Sequence, residues 1–252
     1  YLLLMIGLLR LTILSTAYLI PYYLGAVRGF RALQVGDTLI WIAAPQLFIC
    51  PIAALMLRRF DPRIVASFGL CLVGIACMSV AYTLTPGWGS DQFLFSQLLQ
   101  AVGQSCALSG IVFNGVLHLR PQDALSFGAL LQTARLFGGE AGQAFVTTVA
   151  RVREQRASNL IGQHLKIGDH AVRHRLDLYG QVIAHHDHPA AAAPLLLGDV
   201  VRAMATTMAT IDSFVAVAAW GLFGLFVMIV LLRAPPRGPA SHRPLFRKRE
   251  AR

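Results

Sequence analysis

The stretch Ile64–Leu84, IVASFGLCLVGIACMSVAYTL, has no charged residue and directly follows the arginine-rich segment LRRFDPR at 57–63. About 20 predominantly apolar residues in an α-helix cross a hydrocarbon core of ~30 Å. The stretch therefore predicts a transmembrane helix. Five further stretches meet the same description, at about residues 2–24, 33–57, 93–119, 127–150 and 210–232.

The composition supports a membrane protein. Of the 252 residues, 56% are hydrophobic and only 13% are charged, with a mean hydropathy of +0.59. Globular domains carry about 25% charged residues, so this chain lacks the polar coat that a soluble protein needs. The composition excludes a disordered chain and argues against a soluble enzyme.

Six helices are the predicted architecture. Only α-helices and closed barrels satisfy their backbone polar groups inside lipid, and these apolar runs are too long for barrel strands. We therefore predict an all-α integral membrane protein with six transmembrane helices. Residues 151–209 are predicted to form a long extracytoplasmic amphipathic loop, with PAAAAP at 189–194 as a short linker, and residues 233–252 a basic tail.

Positive charge predicts the orientation. Arg58, Arg59 and Arg63 lie in one short connection, and seven of the 22 basic residues lie in the tail. Six spans place both segments on one side, and loops rich in Lys and Arg are cytoplasmic. Both termini are thus expected in the cytoplasm of a multi-pass protein whose surroundings are the lipid bilayer. The net charge of +10 therefore indicates a membrane flank and no nucleic-acid partner.

Three ionisable residues lie deep inside predicted spans. Arg10, Arg135 and Glu140 each carry an energetic cost at membrane depth and normally face a cavity or a partner. Arg135 and Glu140 are about 140° apart on a helix, so they are not expected to pair with each other. Arg10 with Glu140 is the simplest opposite-sign pair. Two interpretations stay open for these residues, a substrate or proton pathway and a structural ion pair.

Further polar residues and small residues extend this predicted pathway. Asp37 is either interfacial or part of an outer gate, and the remaining polar positions are expected to bond between helices or to line a cavity: Gln46, Gln104, Asn114 and Gln132. Gly138, Gly139 and Gly142 surround Glu140 in a G-x-x-x-G pattern. Small residues allow helices to approach closely, so these glycines are predicted to mediate packing.

The histidines of the 151–209 segment offer a different chemistry. His185, His186 and His188 flank Asp187, and imidazoles with a carboxylate can bind Zn²⁺. No scaffold pattern accompanies the cluster, so a solvated loop without metal is preferred. No nucleotide-binding or hydrolase motif occurs, and no cofactor and no enzymatic activity are predicted.

Several motifs together resemble one transporter family. PYYL at 21–24 with ALQVG at 32–36, the basic loop at 57–63 and FGALLQTARLFGGEAG at 127–142 resemble the major facilitator superfamily, specifically drug:proton antiporters of the EmrB/QacA type. Gln132 stands where the family usually has Asn, and Glu140 where a small polar residue is common. Arg10 is also unusual for the family.

The resemblance implies the C-terminal half of a fourteen-span transporter, with an N-terminal half missing from this chain. It implies a midplane cavity lined or organised by Arg10, Arg135 and Glu140. Asp61, Arg58, Arg59 and Arg63 are then expected to form a cytoplasmic charge latch. In envelope-spanning relatives a periplasmic adaptor and an outer-membrane channel are the partners, which implies the cell inner membrane.

The predicted function is therefore proton-coupled efflux of drugs or small toxic compounds. The three departures indicate anionic, aromatic substrates, because a cation in a cavity favours anions. Two alternatives stay open: a non-transporting six-span scaffold, and a metal-binding membrane protein that uses the His-rich loop.

Overall fold

The computed structural model describes residues 2–117, 119, 121–164, 174 and 189–231. Two short 3₁₀ turns, Asp91–Phe93 and Pro121–Asp123, precede the fourth and fifth helices. The six long helices of this part are α1 (Leu2–Arg28), α2 (Ala32–Arg59), α3 (Pro62–Thr83), α4 (Leu94–Leu117), α5 (Ala124–His164) and α6 (Pro189–Leu231).

Local sequence explains the two tightest connections. Gly29 follows α1 with a φ of 65°, a left-handed conformation that glycine adopts without a Cβ penalty. Pro62 opens α3, where its fixed φ suits the first helical turn and its missing N–H is not needed. The connections after α1 and α2 are thus short, so these neighbouring helices run antiparallel.

The helices form a single bundle. α3 packs on α4 and α6, and α1 packs on α5 and α6 and more lightly on α4. α2 lies at the edge and packs mainly on α4. α2 and α5 therefore flank the bundle, and each leaves one face uncovered.

Two apolar clusters fill the bundle, one towards each end. The first joins the late part of α1, such as Tyr23, to Val80 of α3 and Phe214 of α6. The second joins the early part of α1, such as Ile6, to Ala66 of α3. α1 and α3 therefore run parallel. We call the end at which α2 ends and α3 begins the basic end, because Arg58, Arg59 and Arg63 lie there.

Glycines set the distance between α3 and α4. A Cβ on Gly69 would fall 2.9 Å from the Cα of Ala107, and one on Gly103 would fall 2.8 Å from the carbonyl oxygen of Gly69. A Cβ on Gly110 would fall 2.8 Å from the Cβ of Ala66. Larger side chains would force these backbones apart, which is how small residues bring membrane helices together.

Four helical segments in the described part of the chain are long and apolar enough to cross a membrane: Leu3–Arg28, Ala32–Arg59, Pro62–Thr83 and Leu195–Val230. The structure is all-helical, while the count of six spans stays a prediction. α4 and α5 coincide with two of the predicted spans but are not among these four segments.

The segment 151–209 is helical wherever the structure describes it, and the linker predicted at 189–194 is not formed. α5 continues to His164, and α6 already begins at Pro189, so PAAAAP forms the first six residues of a helix and not a linker. Alanine has the highest helix propensity, and Pro189 stands at the first helical position, where proline is tolerated, which explains why a helix begins here. These helical extensions lie at the end of the bundle opposite the basic end.

Candidate functional site

The contact between α1 and α5 is the closest approach around the predicted pathway. A Cβ on Gly138 would fall 2.7 Å from the Cα of Gly7, and one on Gly142 would fall 2.7 Å from the Cα of Leu11. Gly139 is buried beside them. The sequence analysis missed Gly7, because a single glycine in an apolar run has no signal until its partner helix is known.

Arg10 and Arg135 lie on the two sides of this contact. Arg10 is half-buried, and the positive charges of the two guanidinium groups are close enough to repel each other. The Nε of Arg10 is buried and finds no hydrogen-bond partner among the described residues. The site therefore concentrates positive charge inside a predicted span, an arrangement that attracts an anion.

The expected pair of Arg10 with Glu140 is not formed. Glu140 is exposed on the face of α5 that is turned away from α1, about 200° from both Gly138 and Gly142. The prediction was wrong because opposite signs alone do not determine which helix faces meet. The helix contact follows the glycines, and it carries Arg135 towards Arg10.

The outward face of α5 is polar along three turns. Glu140, Gln143, Thr147 and Arg151 line an open groove of 430 Å³ that belongs to α5 alone. Gln132 is also exposed, about two turns before Glu140. This polar row explains why α5 is the least apolar of the long helices in the described part.

A buried row of amides runs along α4. Gln46 of α2 donates a hydrogen bond to Gln104 at 3.1 Å, and Gln104 donates to Gln100 at 3.4 Å. One turn further, Gln97 is fully buried, and neither atom of its amide has a partner in the described part of the chain. Asn114 is buried on the same helix. The sequence analysis selected Gln46, Gln104 and Asn114 but did not separate this row from the α5 face.

Glu154 connects three helices beyond the predicted span. Its carboxylate accepts hydrogen bonds from the hydroxyl of Tyr22 at 2.8 Å and from that of Thr206 at 3.3 Å. One residue before, Arg153 forms an ion pair with Asp212 at 3.3 Å. The sequence analysis missed Glu154 because it assigned residues 151–209 to a loop.

The remaining predicted residues lie away from the α1–α5 contact. Arg58, Arg59 and Asp61 are exposed at the basic end, and Arg63 is half-buried at the second position of α3. Asp37 is exposed on α2. The three candidate metal ligands lie outside the described residues: His185, His186 and His188.

A known protein is similar to part of this chain. Over 134 aligned residues the chain is 30% identical to an uncharacterized MFS-type transporter, YhcA, of Bacillus subtilis (strain 168). The aligned part is 52% of this chain and 25% of the relative, so the match spans about a quarter of the relative's length. No family model matches the chain.

This partial similarity suggests the major facilitator superfamily. With the long apolar helices, it suggests a multi-pass membrane protein. The site is consistent with transport, because it consists of charges and amides on facing helices.

Proposed function

We propose that this chain is a six-helix unit of an EmrB/QacA-type exporter, corresponding to the C-terminal half. A second helical unit covers the exposed faces of α2 and α5, and the passage lies between the two units. Proton entry drives alternating access and expels small anionic aromatic compounds. The proposal rests on the partial similarity to an MFS-type transporter and on the geometry of α5.

The polar outward face of α5 is the observation that carries the proposal. A charged side chain exposed to lipid at the bilayer centre costs at least ~2.5–3.5 kcal/mol, so such residues face water or protein. Glu140, Gln143, Thr147 and Arg151 are uncovered in this chain, whereas the opposite face of α5 is packed on α1. A water-filled passage along α5 provides the polar surroundings that these side chains require.

The six-span arrangement also agrees with the burial of α4. Its polar residues lower its mean hydropathy, but Gln97, Gln100 and Gln104 are buried against other helices. A helix whose polar groups face protein can lie at membrane depth without exposing those groups to lipid. α4 therefore needs no water-filled surroundings of its own.

Charge supports the anionic substrate. Arg10 and Arg135 lie beside the α1–α5 contact and not on the outward face, and the positive potential that they add next to the passage favours an anion. Glu140 is the proton carrier in this proposal, because it is an acidic side chain on the passage-lining face. Gln132 lies about two turns before it on the same helix, and Asp37 lies on the other exposed flank.

Two peripheral assignments complete the proposal. The connection with Arg58, Arg59, Asp61 and Arg63 is a cytoplasmic latch that stabilises one closed state. Both termini then face the cytoplasm, the protein lies in the inner membrane, and the α5–α6 extensions project outwards. A periplasmic adaptor with an outer-membrane channel receives the substrate there.

Inverted membrane vesicles test the function directly. We would express from its natural locus the gene product that carries this chain, and acidify the vesicle interior. A proton-coupled exporter accumulates radiolabelled salicylate inside, although passive partitioning of a weak acid depletes an acidic compartment. Ethidium serves as the cationic comparison.

The outcomes separate the alternatives. Salicylate accumulation that Arg135→Ala abolishes, with unchanged membrane content, supports the proposal. Accumulation of ethidium alone rejects the anionic substrate. No pH-driven movement of either compound, with wild-type protein in the vesicles, favours the scaffold interpretation.

A further inference from the structure

A second groove lies on a different surface of the bundle, between α3 and α6 at the basic end. It has a volume of 570 Å³. α3 contributes Ile64, Phe68 and Cys71, and α6 contributes Leu225 and Ile229. It shares no residue with the polar face of α5.

The groove is apolar along its length and basic at one end. Ile64, Phe68 and Cys71 follow each other on successive turns of α3, and all three are exposed. Ser67 donates a hydrogen bond to the sulfur of Met228 at 3.9 Å, which brings the two helices together beneath the groove. Arg63 is the charged residue of the lining.

The length of the groove is close to the thickness of the hydrocarbon layer in one leaflet of a bilayer. Arg63 and Cys71 are separated by eight residues, which corresponds to about 12 Å along a helix. Half of a ~30 Å hydrocarbon core is about 15 Å. With Arg63 at the headgroup level, the apolar residues therefore lie at the depth of the acyl chain.

We propose that this groove binds one acyl chain of an anionic phospholipid, whose phosphate is bound by Arg63. The corner where α2 ends and α3 begins carries Arg58, Arg59 and Arg63 against one acid, Asp61, so it is positive and selects a negative headgroup. Both groove-forming helices contain candidate membrane spans, which places the groove in contact with lipid. The proposal does not depend on the transported substrate.

Thermal unfolding of the full chain in detergent tests whether the groove prefers an anionic headgroup. Dioleoyl phosphatidylglycerol is expected to raise the midpoint more than dioleoyl phosphatidylcholine, which has the same acyl chains. Arg63→Gln removes this difference, whereas Arg156→Gln, an exposed arginine at the opposite end of the bundle, retains it. The proposal is overturned if the two lipids shift the unfolding midpoint of Arg63→Gln by the same difference as in the wild type. It is also overturned if soluble glycerol phosphate raises the midpoint as much as phosphatidylglycerol does.

Cysteine protection tests the groove in the folded wild type. Cys71 lies in the groove, and Cys50 is a second exposed cysteine, on α2, whose thiol donates a hydrogen bond to Ser105. Phosphatidylglycerol is expected to slow alkylation of Cys71 by a lipid-soluble maleimide severalfold and to leave Cys50 unchanged. Equal rates at Cys71 with and without the lipid reject the site. Protection that depends on protein concentration and not on lipid shows instead that a second copy covers the groove.

Discussion

Arg10 of α1 and Arg135 of α5 lie beside the same helix contact, so two guanidinium groups of like charge are near each other on facing helices. The contact itself is fixed by Gly138, where a Cβ would fall 2.7 Å from the Cα of Gly7. Packing thus holds two like charges together that would otherwise separate. Such a site stays at higher free energy until an anion or another compensating group arrives.

Neutralising Arg10 should lower transport without lowering the stability of the protein. Arg10→Gln removes the repulsion, so the unfolding midpoint is expected to stay equal or rise. Salicylate transport should fall at least about tenfold, which corresponds to ~1.4 kcal/mol. Arg10→Lys keeps the charge and serves as the control. A parallel loss of stability and transport in Arg10→Gln would show that the residue is structural.

Adding one methyl group to the α1–α5 contact should destabilise the bundle. Gly138→Ala places a Cβ 2.7 Å from the Cα of Gly7, and overpacking of this kind costs ~1–3 kcal/mol. Gly128→Ala on the same helix meets nothing within 4 Å and is expected to gain up to about 1 kcal/mol. Unfolding in denaturing detergent measures both. Equal stability of the two variants would contradict the close contact.

Substitutions of Gln46 and Gln104 should have non-additive effects on the free energy of unfolding, because the two amides share a hydrogen bond. Interhelical hydrogen bonds in membrane proteins average ~0.6 kcal/mol and reach about 1.7 kcal/mol. A double-mutant cycle of Gln46→Leu and Gln104→Leu is expected to give a coupling energy in this range. Additive effects of the two substitutions would mean that the two amides do not interact.

Removing the carboxylate of Glu154 should loosen the α5–α6 extensions. Glu154→Ala deletes the acceptor for Tyr22 and Thr206, and hydrogen bonds to a charged group contribute about 1.5–3 kcal/mol. Hydrogen exchange is expected to accelerate over 151–164 and 195–206. Arg156→Ala, an exposed neighbour on the same turn, should leave exchange unchanged. Unaltered exchange in Glu154→Ala would show that the apolar contacts alone hold these helices.

Neutralising Glu140 should uncouple transport from the proton gradient. Glu140→Gln keeps the size and polarity of the side chain but carries no titratable proton. Accumulation driven by pH is expected to disappear, while exchange of labelled for unlabelled salicylate continues. Adding Gln143→Glu to Glu140→Gln moves the carboxylate by about one turn and tests its position. Wild-type accumulation in Glu140→Gln would assign the proton to another group.

The first four helices were predictable because each is an apolar run bounded by charges or turn residues. The expected span 33–57 and the observed Ala32–Arg59 differ by only a few residues. Apolar length determines such helices almost alone. The extensions of α5 and α6 were not predictable in this way, because hydropathy indicates only the membrane part of a helix.

The neighbours of individual side chains were the least predictable feature. The sequence marks Arg10, Arg135 and Glu140 as unusual, because ionisable residues rarely occur in apolar runs. It does not specify which helix faces meet, since that depends on packing contacts such as Gly7 with Gly138. Arg135 and Glu140 are equally unusual in the sequence, but Arg135 is half-buried in the structure and Glu140 is exposed.

The length of α5 turns a small rotation into a large displacement. Its 41 residues span about 62 Å, roughly twice a hydrocarbon core, and His164 lies about 39 Å along the axis from Gly138. A 10° tilt about Gly138 moves that tip by about 7 Å, as a lever does. Because Glu154 of α5 is hydrogen-bonded to Thr206 of α6, the extensions of the two helices move together. A fluorophore pair between this tip and the proposed second helical unit therefore reports rocking of the whole bundle.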